Sequence, residues 1–249
     1  MKDDAIAPVV AVMMILVVVV TLLSIWNAIY LPGFKQQAEV EHLGDVENGM
    51  VRFGAAIDNS IHFWRNGTMA EPIPLGGGDI LLNSLRSGGE LRIRQLPGAA
   101  ITITIDGSPF THGYLSNITY TPVSNFWLDQ GYSWQNGTVN VTKAHTSVPI
   151  TLLSKYEETQ AQFLNNLRKP PEYSNSNQNV TLRFVNITPD GRFNTTSGNG
   201  IVQLKLNATI VRILKEDVLS LTVNGVAPGE LKYPANVTVE RLDINLSVE

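Results

Sequence analysis

The sequence predicts an α+β protein, a long N-terminal hydrophobic α-helix followed by an antiparallel β-sandwich-like globular domain. Three observations carry this. From Ala5 to Phe34 there is no Asp, Glu, Lys, Arg or His. From residue 34 to 65, apolar residues recur every three or four positions. Beyond residue 70, short stretches alternate with period two between Gly-containing turn signals. The expected organisation is a leader over 1–5, a transmembrane or buried helix over 6–31, an amphipathic helix over 34–65 and a β-rich extracellular domain over 70–249.

The first element is long enough to span a bilayer. A hydrocarbon core of roughly 30 Å needs about 20 apolar residues in a helix, and the run from Ala5 to Leu31 exceeds that. It does not match a secretory signal, which has a basic start, a short apolar core and a small-residue cleavage site beyond it. Lys2 is the only basic residue ahead of the run, and "SIWNAIYLPG" stands after it. The β-branched run Val17–Val20 would favour a strand in water. An isolated strand in lipid leaves its backbone unpaired, so a helix is required. Pro8 falls in the first turn, where an amide has no helical partner anyway. Trp26 and Tyr30 suit the far headgroup zone.

The short leader "MKDDA" and the following "IAPVVAVMMILVVVV" resemble the start of archaeal type IV pilins. The resemblance covers about the first 60 residues. It implies a cut before the hydrophobic segment, here between Ala5 and Ile6, with Ala7 and Ala11 where that family usually has Ser and Gly. It implies a subunit that waits in the membrane and then packs its helix against copies of itself in a filament core. It also implies a prepilin peptidase, an assembly ATPase and a membrane platform as partners. A helix without charge suits both settings, because it is buried on every face. Ala5, Ala7 and Ala11 would allow close helix–helix approach. The alternative is a monomeric, single-pass anchored surface glycoprotein that binds carbohydrate or a cell partner.

Pro32-Gly33 is expected to break or kink the helix. Beyond it, Val40, Leu43, Val46, Met50, Phe53, Ile57, Ile61 and Trp64 form one apolar stripe, with Glu39, Glu41, Asp45, Glu47 and Arg52 on other faces. Gly44, Gly49 and Gly54 each cost about 1 kcal/mol relative to Ala, so tertiary packing must hold this helix. His42 beside Glu39 and Glu41 lacks a metal-binding spacing, and His62, His112 and His145 lie far off in sequence.

Strands are expected at 90–96, 100–106, 117–123, 138–144, 148–153, 179–185, 200–214, 217–223 and 236–248. Turns are expected at Asp106-Gly107, Asn136-Gly137, Asp190-Gly191, Asn199-Gly200 and Asn224-Gly225. One helix is expected over 156–169, stopped by Pro170-Pro171. The glycines of "IPLGGGDI" match no phosphate-loop spacing.

Ten Asn-x-Ser/Thr sequons begin at Asn66, Asn117, Asn136, Asn140, Asn179, Asn186, Asn194, Asn207, Asn236 and Asn245. Chance would supply roughly three, and all ten follow the apolar segment, which reads as a glycosylated exterior. The topology that follows is a cytoplasmic N-terminus and an extracellular head. The flanking charges, Lys2 and Lys35, are nearly silent on orientation.

Other function classes find little support. With 16% charged residues and a net charge of −4, the chain lacks the basic face that nucleic acid needs. Arg86, Arg92 and Arg94, and likewise Arg168 and Lys169, read as solvated surface. Without cysteine there is no disulfide framework and no thiolate metal site. No nucleophile elbow or Ser-His-Asp spacing stands out, and Glu157 and Glu158 are adjacent on a helix and point apart. No enzyme activity and no cofactor are expected. Tyr114, Tyr120, Phe126, Trp127, Tyr132 and Trp134 could line a carbohydrate surface, but read more simply as core.

Overall fold

The computed structural model describes residues 6–77, 86–125, 128–143, 146–151, 153–229 and 231–249. Ala5, Phe126, Trp127 and His145 lie outside them. The chain has one long N-terminal apolar helix and a mostly β domain whose sheets are largely antiparallel.

Helix α1 (Ile6–Ile25) passes into α2 (Leu31–Phe63) through one π-helical turn, Trp26–Tyr30. Of the break or kink expected at Pro32-Gly33, the break does not occur, since α2 runs through both residues. Proline lacks an amide donor, and its ring crowds the carbonyl four residues back. The wider turn just ahead of Pro32, closed by the Leu31 amide on the Trp26 carbonyl, lets the helix continue.

Along α2 the stripe Leu43, Val46, Met50, Phe53, Ile57 and Ile61 is buried as expected. Nearer the N-terminus the register differs. Val40 is 56% exposed, whereas Lys35, Glu39 and His42 are buried. Leu31, Lys35, Glu39 and Leu43 are spaced by four, so one continuous face carries polar groups inward at this end. Trp64 ends the helix in the left-handed region (φ 49°) and is half-buried.

Gly49 and Gly54 mark the closest approach of α2 to the head. A Cβ on Gly49 would lie 2.5 Å from Ile73 Cδ1, and one on Gly54 would lie 2.7 Å from Trp134 Nε1. A Cβ on Gly44 meets nothing within 4 Å. Two of the three helix-weakening glycines are therefore required by packing.

Among the described residues the head contains three sheets. The first joins β1 (Gly67–Pro74), β12 (Ile201–Val218), β14 (Ala235–Val248), β10 (Asn179–Pro189) and β9 (Glu172–Ser174), in that order. The second joins β11 (Thr195–Gly198), β2 (Gly88–Gln95), β5 (Ser116–Ser124), β6 (Gln130–Gln135), β7 (Thr138–Lys143) and β8 (Thr146–Pro149). The third joins β13 (Leu221–Val223), β3 (Ile101–Ile105) and β4 (Ser108–Gly113). Among the described residues every ladder is antiparallel except β10–β14, which is parallel from Asn179↔Asn236 to Pro189↔Leu246.

The third sheet accounts for the departure from a two-sheet sandwich. In β14, Val237 and Val239 point to one face, and Leu242, Ile244, Leu246 and Val248 to the other. All six are buried. A strand buried first on one face and then on the other needs a cover on each side. Ile101 and Ile103 of β3 share a cavity with Leu182 and Phe184 of β10, which closes the first face.

Asn136-Gly137, Asp106-Gly107 and Asn224-Gly225 turn with positive φ at both residues, as two-residue hairpins require. Asp190-Gly191 and Asn199-Gly200 do not. The stretch expected as a strand at 148–153 instead ends β8 and leads into helix α3 (Leu153–Asn166). Alternation did not reveal β1, β4, β6, β9 or β11, whose residues include Pro, Gly and Gln.

Asp58 of α2 lies in the seam beneath α3, near Thr159, and its Oδ1 is buried with no hydrogen-bond partner among the described residues. Burial raises its pKa from 3.8 to about 6. A raised carboxyl contributes stability below its unfolded pKa and loses it as pH rises through the folded value. Asp58→Asn should therefore raise stability at pH 7.5 by about 1–2 kcal/mol, allowing for partial exposure, and change little at pH 4. Thermal melts at the two pH values check this. An equal shift at both would show that the charge is irrelevant.

Candidate functional site

The apolar helix is the first part of the candidate site. Every side chain from Pro8 to Ile25 is exposed, with Val12 at 64%, Met14 at 65% and Leu16 at 62%. No face is covered, so nothing among the described residues of the head satisfies this surface. One N-terminal helical run, Pro8–Phe63, is long and apolar enough to cross a membrane by length and composition. The 20 residues of α1 span roughly 30 Å at 1.5 Å per residue, matching a hydrocarbon core.

The polar residues in and just after α1 bond back to their own helix. Thr21 Oγ1 donates to the Val18 carbonyl (2.8 Å), Ser24 Oγ to Val20 (2.8 Å) and Asn27 Nδ2 to Leu23 (3.1 Å). Their donors are thus satisfied without water, which suits an apolar setting. Sequence reading missed this, although Ser and Thr within a helix are a known signal for it. Trp26 stacks on Tyr30 (5.9 Å between centroids, 24°) and lies 5.9 Å from Phe34, forming an aromatic strip where the apolar run ends.

The neck between span and head is the second part. His42 Nε2 meets Tyr120 Oη at 3.0 Å, and Tyr120 Oη donates to the Leu75 carbonyl at 3.2 Å. Gln130 Nε2 donates to Tyr132 Oη (2.9 Å), which donates to Glu47 Oε2 (3.1 Å). The Leu128 amide donates to Glu39 Oε1 at 3.4 Å. Burial lowers the pKa of His42 more than Asp45 raises it, so the ring is neutral at neutral pH. Burial, assisted by the charge and hydrogen bond of Glu47 and opposed by the Gln130 bond, pushes Tyr132 up to about 12. The network holds the helix to β5 and β6 through directional bonds that apolar packing alone would not supply.

The four described members of the aromatic set do not form an exposed binding surface, and Phe126 and Trp127 lie outside the described residues. Tyr120, Tyr132 and Trp134 are 1% exposed and belong to the core, and Tyr114 is half-buried. The exposed Glu157 and Glu158 lie on α3.

The sequons divide by accessibility. Asn66, Asn207, Asn236 and Asn245 are exposed, while Asn117, Asn136, Asn179 and Asn194 are half-buried. Asn140 (7%) and Asn186 (9%) are buried. Asn186 Nδ2, the atom a glycan would occupy, donates to Asp243 Oδ1 at 2.7 Å. Asn207 and Asn245 are cross-strand neighbours, so two of the open sites share one face. Of the expected cleavage pair, Ile6 begins α1 and Ala5 lies outside the described residues.

Comparison with family models, with curated proteins and with solved structures finds no match for this chain.

Proposed function

We propose that the chain is a structural subunit of an archaeal type IV pilus-like surface filament, assembled through α1. The observation that carries this reading is an uncharged helix, exposed on all sides, continuous with a helix whose other half is built into the head. A helix with no covered face requires a surrounding of the same polarity. Lipid supplies it before assembly, and copies of the helix supply it afterwards. The aromatic strip at Trp26, Tyr30 and Phe34 suits residence in a bilayer with the head outside and the N-terminus in the cytoplasm. A prepilin peptidase cutting at Ala5–Ile6, an assembly ATPase and a membrane platform are the partners, and surface attachment is the role.

The head is the glycosylated exterior, with Asn66, Asn207, Asn236 and Asn245 as the sites best placed for modification. Asn140 and Asn186 stay unmodified in the folded chain.

Mass spectrometry of the native protein tests both claims. A mature chain that starts at Ile6, found in filaments by electron microscopy and with glycans at the exposed sequons, is the expected result. An intact Met1 with no filaments would overturn the filament reading and leave the anchored monomeric glycoprotein.

A further inference from the structure

Strand β12 has two neighbours along its first half and one along its second. β1 pairs with it from Ile201 to Ala208, whereas β14 continues to Lys215. From Thr209 to Lys215, the edge that β1 leaves carries no strand among the described residues. The Ile210 amide points to that edge, where Asn66 Oδ1 accepts it at 2.7 Å. In an antiparallel ladder, every second residue presents both backbone groups to the same side. Arg212 and Leu214 therefore present theirs to the same open edge. Leu214 is 56% exposed, and the Arg212 side chain is 71% exposed.

An open edge is a template for another strand. "TIVRILK" (209–215) is rich in β-branched residues and has no Pro or Gly. We propose that this edge pairs, antiparallel, with the same edge of a second copy of the chain. Charge complementarity selects a self-pairing register. Only registers that set even residues opposite even ones align the outward backbone groups. Centring on Arg212 would oppose two arginines. Arg212 Nε donates to Glu240 Oε1 at 2.8 Å within the chain, and the guanidinium stays largely exposed; centring on Leu214 sets it opposite Glu216 in both halves, with Leu214 opposite Leu214. Asn66 caps one end of the edge, and the irregularity between Lys215 and Val218 bends the strand at the other, so the pairing is short. It joins head to head and is independent of α1 packing.

The chain has no cysteine, so single-cysteine variants report contacts cleanly. The full chain carrying Leu214→Cys, in detergent micelles under mild oxidation, should form a disulfide-linked dimer. Residues directly opposite in a hydrogen-bonded pair lie at about 5.5 Å between Cα atoms, within disulfide reach. Val40→Cys, on the exposed side of α2, gives the rate of random collision. Adding Glu216→Arg to Leu214→Cys should lower the dimer yield about fivefold, because like charges then face each other twice. A Leu214→Cys rate no higher than that of Val40→Cys, or a yield unchanged by Glu216→Arg, would overturn the proposal; the former would leave the edge to a foreign strand, and the latter would point to another contact between copies. Met13→Cys, scored separately, reports helix association, so failure of the filament reading is read apart from failure of this one.

Discussion

Replacing Leu16 with arginine is expected to remove the chain from the membrane and to abolish filaments. Leu16 lies near the middle of α1 and is 62% exposed, so no residue of the head shelters the new charge. An arginine at the centre of a spanning helix costs about 2.5–3.5 kcal/mol on insertion scales, where leucine is favourable by a few tenths. That is a factor of at least ~100 in the insertion equilibrium. In a filament core the same charge would be buried among apolar helices with no partner, which costs several kcal/mol more. The head should be untouched, because α1 makes no part of its core. Membrane fractionation, electron microscopy and the β-type circular dichroism of the head measure the three outcomes. Val40→Arg, on an exposed position beyond the span, should leave all three unchanged. If the Leu16→Arg chain stayed in the membrane and still formed filaments, α1 would be neither anchor nor assembly element.

The second large effect is expected at Gly54. Its virtual Cβ lies 2.7 Å and 2.8 Å from Nε1 and Cδ1 of Trp134, a side chain only 1% exposed and unable to step aside. Gly54→Val should destabilise the head at the upper end of the 1–3 kcal/mol range for overpacking. It should also loosen α2 from β6. Gly44→Ala is the matched opposite. With nothing within 4 Å, it should gain up to about 1 kcal/mol from helix propensity alone. Denaturant unfolding of both variants separates the readings. If both stabilise the protein, Gly54 is not a packing glycine. Gly49 is the milder case, since its nearest atom is the flexible end of Ile73.

Much of the architecture was legible in the sequence because the physics acting there is local. Leu43, Val46, Met50, Phe53, Ile57 and Ile61 are all buried, since a 3.6-residue period leaves one face for them. Asn136-Gly137 turns as expected because its two positive φ values are a property of the dipeptide. Val40 and Glu39 exchanged places for a different reason. The buried face near Lys35 and His42 was set by Tyr120, Leu128 and Tyr132, which come from strands and a loop some 80 residues away. The same limit applied to the sequons, because a motif reports the acceptor and not its surroundings. Asn186 satisfies the motif and yet lies buried against Asp243.

The sequence by itself determined the uncharged helix, the amphipathic helix behind it and a β-rich head, because composition and periodicity fix which surfaces must leave water. Tertiary structure alone decided that β10 and β14 lie parallel, that a third sheet closes the first face of β14, and that β12 keeps an open edge. Each of these depends on which distant strand or turn lies alongside, a long-range pairing that no local pattern encodes.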